Sequence, residues 1–215
     1  MSRNKYSNKI KTQILEVAWK IFEEQDYDDV TMQQIVDTLD ISKEAVYYHF
    51  KDKEMLFEEI VLNSLRVEVE NLKSLLNNPK LTVREKVSEF ILYISSSEIR
   101  KKLIDYMCSQ KKPTFFIKNI RASTIEITPL LSCLIKQGIE EGIFKTDYPD
   151  EVSEVFIILI NIWLDPILFR DSTEKYFRRI EFLSEFLSAS GVPIITDDNL
   201  DSIKMFYEAY SKNEE

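Results

Sequence analysis

Apolar residues recur at helical spacing along almost the whole chain, and the polar breaks between the runs are short. Ile10, Ile14, Val17, Ala18, Ile21 and Phe22 form one stripe, which predicts a first helix from about Ser7 or Asn8 to Gln25. Met32, Ile35, Val36 and Leu39 follow Thr31, a good N-cap; Ala45, Val46 and Phe50 follow Ser42, another. From Lys53 the pattern runs through Met55, Leu56, Ile60, Leu65, Val69, Leu72 and Leu76 to Asn77-Asn78-Pro79, with Asp52 as its cap. At about 1.5 Å per residue that helix is roughly 35 Å long. Thr82 and Glu85 form a capping box ahead of Val83, Val87, Phe90, Ile91 and Ile94, and Ser95-Ser96-Ser97 ends that run. A shorter helix is predicted over 98–110. Another is predicted over 115–142, with a kink or a division at Pro129 and Gly142 as the C′ residue. Asp150 is the expected cap of a helix apolar nearly all round, Val155 to Leu164, which must be covered on every side. Helices over 173–189 and about 199–213 complete the series. The expected fold class is all-α: an N-terminal three-helix head with a helix-turn-helix, then a C-terminal helical bundle. The division falls at 1–52 and 53–215.

The stretch Thr31 to Lys53 organises the rest. Two short helices joined across Asp40-Ile41 must cross steeply, which is helix-turn-helix geometry. In that motif the second helix enters the DNA major groove. Its inward side is Ala45, Val46 and Phe50; its outward side is Lys43, Glu44, Tyr47 and Tyr48, with His49 beside them. Two consecutive tyrosines cannot both face a core that Val46 and Phe50 already fill, so at least one is expected to reach DNA. Lys53, at the start of the long helix, is placed to put its ammonium on a phosphate.

The run Ile41-Ser42-Lys43-Glu44-Ala45-Val46-Tyr47-Tyr48-His49-Phe50-Lys51-Asp52-Lys53-Glu54-Met55-Leu56 resembles the signature of the tetracycline-repressor (TetR) family. Ala18, Phe22, Tyr27, Thr31 and Ile35 fall where that family has its helix-1 and helix-2 positions. Asp26, Leu39 and Asp40 depart from it, standing where Gly, Ala and Gly are usual. The resemblance covers about residues 8–60 by motif and the remainder by layout. It implies a DNA-binding set of Thr31, Ser42, Lys43, Glu44, Ala45, Tyr47, Tyr48, His49 and Lys53. Within it Tyr47 and His49 would meet phosphates, while Lys43, Glu44 and Tyr48 lie near base edges. It also implies a ligand-binding bundle whose occupancy moves the fourth helix. For that pocket the candidates are Tyr93, Tyr106, Phe116 and Trp163, although aromatics at helical spacing are core more often than pocket.

Composition narrows the function. With 3 Gly and 6 Pro in 215 residues, long helices are favoured over strands. The net charge of −9 opposes indiscriminate nucleic-acid binding. Residues 1–11 nevertheless carry Arg3, Lys5, Lys9 and Lys11 and no acid, and Glu23 to Asp29 gathers the acids into one corner. The single histidine lies in the recognition helix, which excludes a His-based triad or metal site in the body, and no Gly-rich phosphate loop occurs. No enzyme activity, cofactor or metal is expected. Cys108 and Cys133 read as two buried thiols. Without a long apolar run or a signal-peptide pattern, a cytoplasmic protein with no membrane partner is expected.

The expected function is a one-component transcriptional regulator, most simply a repressor, acting as a homodimer on a double-stranded operator and released by a small-molecule effector. The alternative is a helical protein-interaction module that does not bind DNA directly, kept open by the acidic balance. The expected dimer interface is Ile158 and Ile162 with Ile180, Phe182, Leu183 and Phe186, two helices from each chain about a two-fold axis. The bland alternative has the final helix folded over that surface.

Overall fold

A computed structural model describes residues 2–95, 106, 113–165, 168–169 and 172–211. Among them every regular element is helical: α1 (Ser2–Glu24), α2 (Met32–Thr38), α3 (Lys43–His49), α4 (Lys53–Leu76), α5 (Val83–Ser95), α6 (Pro113–Glu140), α7 (Pro149–Ile158), α8 (Thr173–Ala189) and α9 (Asp197–Ser211). A π-helical stretch, Leu159–Trp163, continues α7. The described residues form two compact units. One is drawn from Met1–Arg66 and Ile99–Phe115, the other from Val67–Glu98 and Phe116–Glu215.

In the first unit α1 packs on α2 and α3. Ile14, Leu15, Ala18, Ile21 and Phe22 are buried together with Ile35, Val36, Leu39, Val46 and Phe50. Leu15 takes the inward place expected for Val17, which is half-exposed. Helix α1 begins at Ser2, well before the expected Ser7. The predicted caps hold at α4 and α5: Met55 donates its amide to Asp52 Oδ1 at 2.7 Å, and Thr82 and Glu85 exchange backbone-to-side-chain bonds of 2.8 and 3.3 Å. An aromatic cluster extends the head core. Tyr27 stacks on Phe22 and meets Phe57 edge-on at 5.2 Å; Tyr106 lies 4.5 Å from Tyr27, 4.6 Å from Phe57 and 5.7 Å from Phe115 between ring centres.

The second unit corrects several expectations. Helix α6 is continuous with Pro129 inside it, so of the kink or division expected there the division does not occur. Asp150 does not cap α7: Tyr148 is the N-cap residue and Pro149 opens the helix. The Asp150 carboxylate instead accepts from Ser132 and from Lys136, which ties α7 to α6 and holds the carboxyl below its usual range. The apolar run after Ile158 turns π-helical over Leu159–Trp163, and Asn161 lies within it. Its side-chain amide donates to Ile157 O at 2.8 Å, the carbonyl its own backbone N–H would take in an α-helix, and Leu164 N reaches back to Leu159 O. Lys86 is buried, its ammonium donating to Leu76 O at 2.7 Å and Gln137 Oε1 at 3.0 Å, so it closes the C-terminus of α4. Helix α9 packs chiefly on α5 and more lightly on α8, where Phe182 and Phe186 are exposed. Cys133, expected buried, is exposed; Cys108 lies outside the described residues. No helix among the described residues is long and apolar enough to cross a membrane.

Candidate nucleic-acid interface

The head presents α3 through two caps and a buried anchor. Thr31 Oγ1 accepts from Gln34 N and Ser42 Oγ from Ala45 N, each at 3.2 Å, so both hydroxyl oxygens hold helix N-termini. Leu39, buried and extended at φ −96°, ends α2. Val46 and Phe50 bury the inner side of α3, and Ala45 is half-buried. That fixes the outer side as Lys43, Glu44, Tyr47 and Tyr48, all exposed, with Tyr48 at 81 % of its full accessibility. The Lys43 ammonium stands 5.7 Å from the centre of the Tyr47 ring and donates to Gln33 Oε1 at 3.5 Å. Gln33 in turn donates to Asp37 at 2.7 Å. Gln33 is thus a member of this surface that sequence reasoning missed, because a polar residue on the outer side of α2 carries no periodic signal. His49 meets Tyr48 edge-on at 5.1 Å. Burial, then the nearby Lys11 ammonium, holds its imidazole below the ordinary value.

Lys53 is not left projecting for a phosphate. Its ammonium donates to Tyr27 O at 2.6 Å and to Asp28 O at 3.4 Å, and lies 4.3 Å from the Tyr27 ring centre. The turn ahead of α2 thus offers two carbonyls and a ring face within reach of its stem, where Lys53 is half-buried. Burial pushes the Lys53 ammonium down, against the pull of Asp28 and Asp29. Burial, with Glu54 and Asp52 nearby, pushes the Tyr27 phenol up to about 12.

Of the expected pocket residues, Tyr106 and Trp163 have described side chains, one in each unit. Tyr106 is fully buried in the aromatic cluster of the first unit. Trp163 belongs to the second unit and is half-buried there against Phe182, 5.6 Å away edge-on; Arg179 Nη1 donates to its carbonyl at 3.2 Å. The side chains of Tyr93 and Phe116 lie outside the described residues. Among the described residues of the second unit, Thr128 Oγ1 is buried without a hydrogen-bond partner. The expected dimer residues separate by burial. Ile158, Phe182 and Phe186 are exposed and Ile162 is half-exposed, whereas Ile180 and Leu183 are fully buried inside their own protomer and leave the interface set. The inward stripe of α8 claims them, with Tyr176 and Leu187.

Residues 14–60 match the model of the bacterial regulatory proteins of the tetR family, and residues 94–185 match that of a tetracyclin repressor-like C-terminal domain. The chain belongs to the TetR family. IcaR of Staphylococcus aureus, the negative transcriptional regulator of the biofilm operon icaADBC, is 27 % identical over 178 residues, covering 80 % of this chain and 89 % of its own. A transcriptional regulator from Cytophaga hutchinsonii shares the fold at a TM-score of 0.62 and 17 % identity, over 94 % of this chain and 96 % of that one. RolR, solved in complex with resorcinol, does so at 0.54 and 16 %, over 94 % and 96 %. The TetR family, IcaR and the Cytophaga hutchinsonii protein are transcriptional regulators, not enzymes. The chain is therefore a DNA-binding transcriptional regulator with its helix-turn-helix on α2 and α3.

Proposed function

We propose that the chain is a repressor that grips an inverted-repeat operator as a homodimer in the cytoplasm and is released by a small-molecule effector. One observation carries the reading: α3 offers an exposed row of Lys43, Glu44, Tyr47 and Tyr48 behind a buried Val46 and Phe50. A helix so anchored can place side chains on base edges without unpacking its own core. The repressor sense is supported by the likeness to IcaR, a negative regulator. Dimerisation is supported by the exposed Ile158, Phe182 and Phe186, apolar side chains that a lone protomer leaves in water. The effector is supported by the fold shared with RolR and its resorcinol, and by the buried Thr128 hydroxyl, one polar anchor for an uncharged ligand in the second unit.

The test is a gel shift against duplex from upstream of the protein's own gene, repeated across salt concentrations. Sequence-selective binding should weaken with a log–log slope of about −0.9 per phosphate neutralised. Absence of a selective, salt-sensitive shift there and in a genome-wide pool would favour a protein-interaction role instead.

A further inference from the structure

Glu44 is an acid in the middle of a surface that must approach polyanionic DNA. At about 100° per residue, Glu44 and Tyr48 stand roughly 160° and 200° round α3 from Val46, which is buried. They form one i, i+4 ridge down the centre of the exposed side, with Lys43 and Tyr47 flanking it and Ala45 on the other side. The Lys43 ammonium is turned toward Gln33 and the Tyr47 ring. A carboxylate carried between two phosphate strands and stripped of water is costly unless it meets a hydrogen-bond donor there. The major groove supplies two such donors, the amino groups of cytosine N4 and adenine N6. The adenine amino group lies between two acceptors, its own N7 and thymine O4, and both repel a carboxylate. The cytosine amino group has one acceptor neighbour, guanine O6, and a C–H on its other side. Cytosine is therefore the base a carboxylate can approach with least repulsion.

Resting on the DNA-reading role proposed above, we propose that Glu44 is a specificity-determining residue that accepts a hydrogen bond from a cytosine amino group in each operator half-site. Tyr48, on the same ridge, walls that contact from water.

Selection from a random duplex pool tests this. The wild-type protein should return one fixed cytosine per half-site, and replacing that base should weaken binding roughly five- to 150-fold, the span of one base contact. Glu44→Gln keeps the side-chain shape but can donate as well as accept, so it should move that position to adenine, whose N6 and N7 suit an amide. Glu44→Ala should lose discrimination there and bind unrelated duplex more tightly, because a charge repelled by phosphates is gone. Variants that keep the wild-type preference at every position would overturn the proposal. So would a Glu44-dependent position at which the wild type prefers adenine, or unchanged binding of Glu44→Ala to unrelated duplex. A wild-type protein that selects no sequence at all would instead bring down the DNA-reading role itself.

Discussion

Tyr47 and Lys43 are neighbours on α3, yet they are expected to do different work. Tyr47, 38 % accessible and at the flank of the exposed side, is suited to a phosphate, whereas Lys43 stands at the start of the helix where base edges come closest. Tyr47→Ala should therefore weaken all duplexes alike, and Lys43→Ala should change the ranking of operator variants by about 1–3 kcal/mol. Fluorescence anisotropy on a panel of single-base variants separates the two; a uniform loss with Lys43→Ala would reverse its role. His49 adds a pH dependence. Its pKa is depressed in the free protein, and a phosphate beside it would raise it, so binding DNA takes up a proton. Affinity should be greatest below the free pKa, under about 6.5, and fall as pH rises through the higher pKa of the complex. Measured from about pH 5.5 to about pH 8 at fixed salt, wild-type affinity should decline, and His49→Gln should remove that part of the decline.

Among the elements, two glycines end helices in the same conformation but in different surroundings. Gly142 after α6 and Gly191 after α8 have φ of +73° and +79°. A Cβ at Gly142 would meet nothing within 4 Å, while one at Gly191 would overlap the Lys145 carbonyl, whose residue also donates its amide to Gly191 O at 2.9 Å. Gly142→Ala should thus cost about 1 kcal/mol, the penalty of the left-handed conformation alone. Gly191→Ala should cost distinctly more, because the 145–191 contact must open as well. Chemical denaturation of both variants checks the order. The π-helical stretch shows the limit of periodicity: Val155 to Leu164 reads as an unbroken helix, and the backbone winds differently from Leu159 to Trp163.

For the whole molecule, the dimer and the effector are the two properties to test. Phe182→Glu and Phe186→Glu add charge to an exposed apolar surface and replace no residue of the inward α8 stripe, so each protomer should stay folded while sedimentation equilibrium shows monomers. Variants that still dimerise would move the interface elsewhere. An effector that lowers operator affinity tenfold requires a coupling of about 1.4 kcal/mol, and the operator must lower effector affinity by the same factor. Titrating each ligand in the presence of the other measures both sides, and a binder that leaves operator affinity untouched is not the effector.

The sequence by itself determined what depends on neighbours along the chain. Helical periodicity, the caps at Thr31, Ser42, Asp52 and Thr82, and the motif from Ile41 to Leu56 are all local, and they suffice for an all-helical chain with a DNA-reading head. They also suffice for α3's two sides, since Val46 and Phe50 fix which residues are left outside. Tertiary structure decided wherever a side chain chooses among partners distant in sequence. Lys53 turned inward because the Tyr27 and Asp28 carbonyls lie beside it. Tyr106 became core because Tyr27, Phe57 and Phe115 surround it. Asp150 left its capping place for Ser132 and Lys136, and Ile180 and Leu183 went to their own protomer's core while Phe182 and Phe186 stayed in water. A periodic pattern tells that a residue is apolar or charged and on which side of a helix it lies. What stands opposite that side is a property of the packed chain.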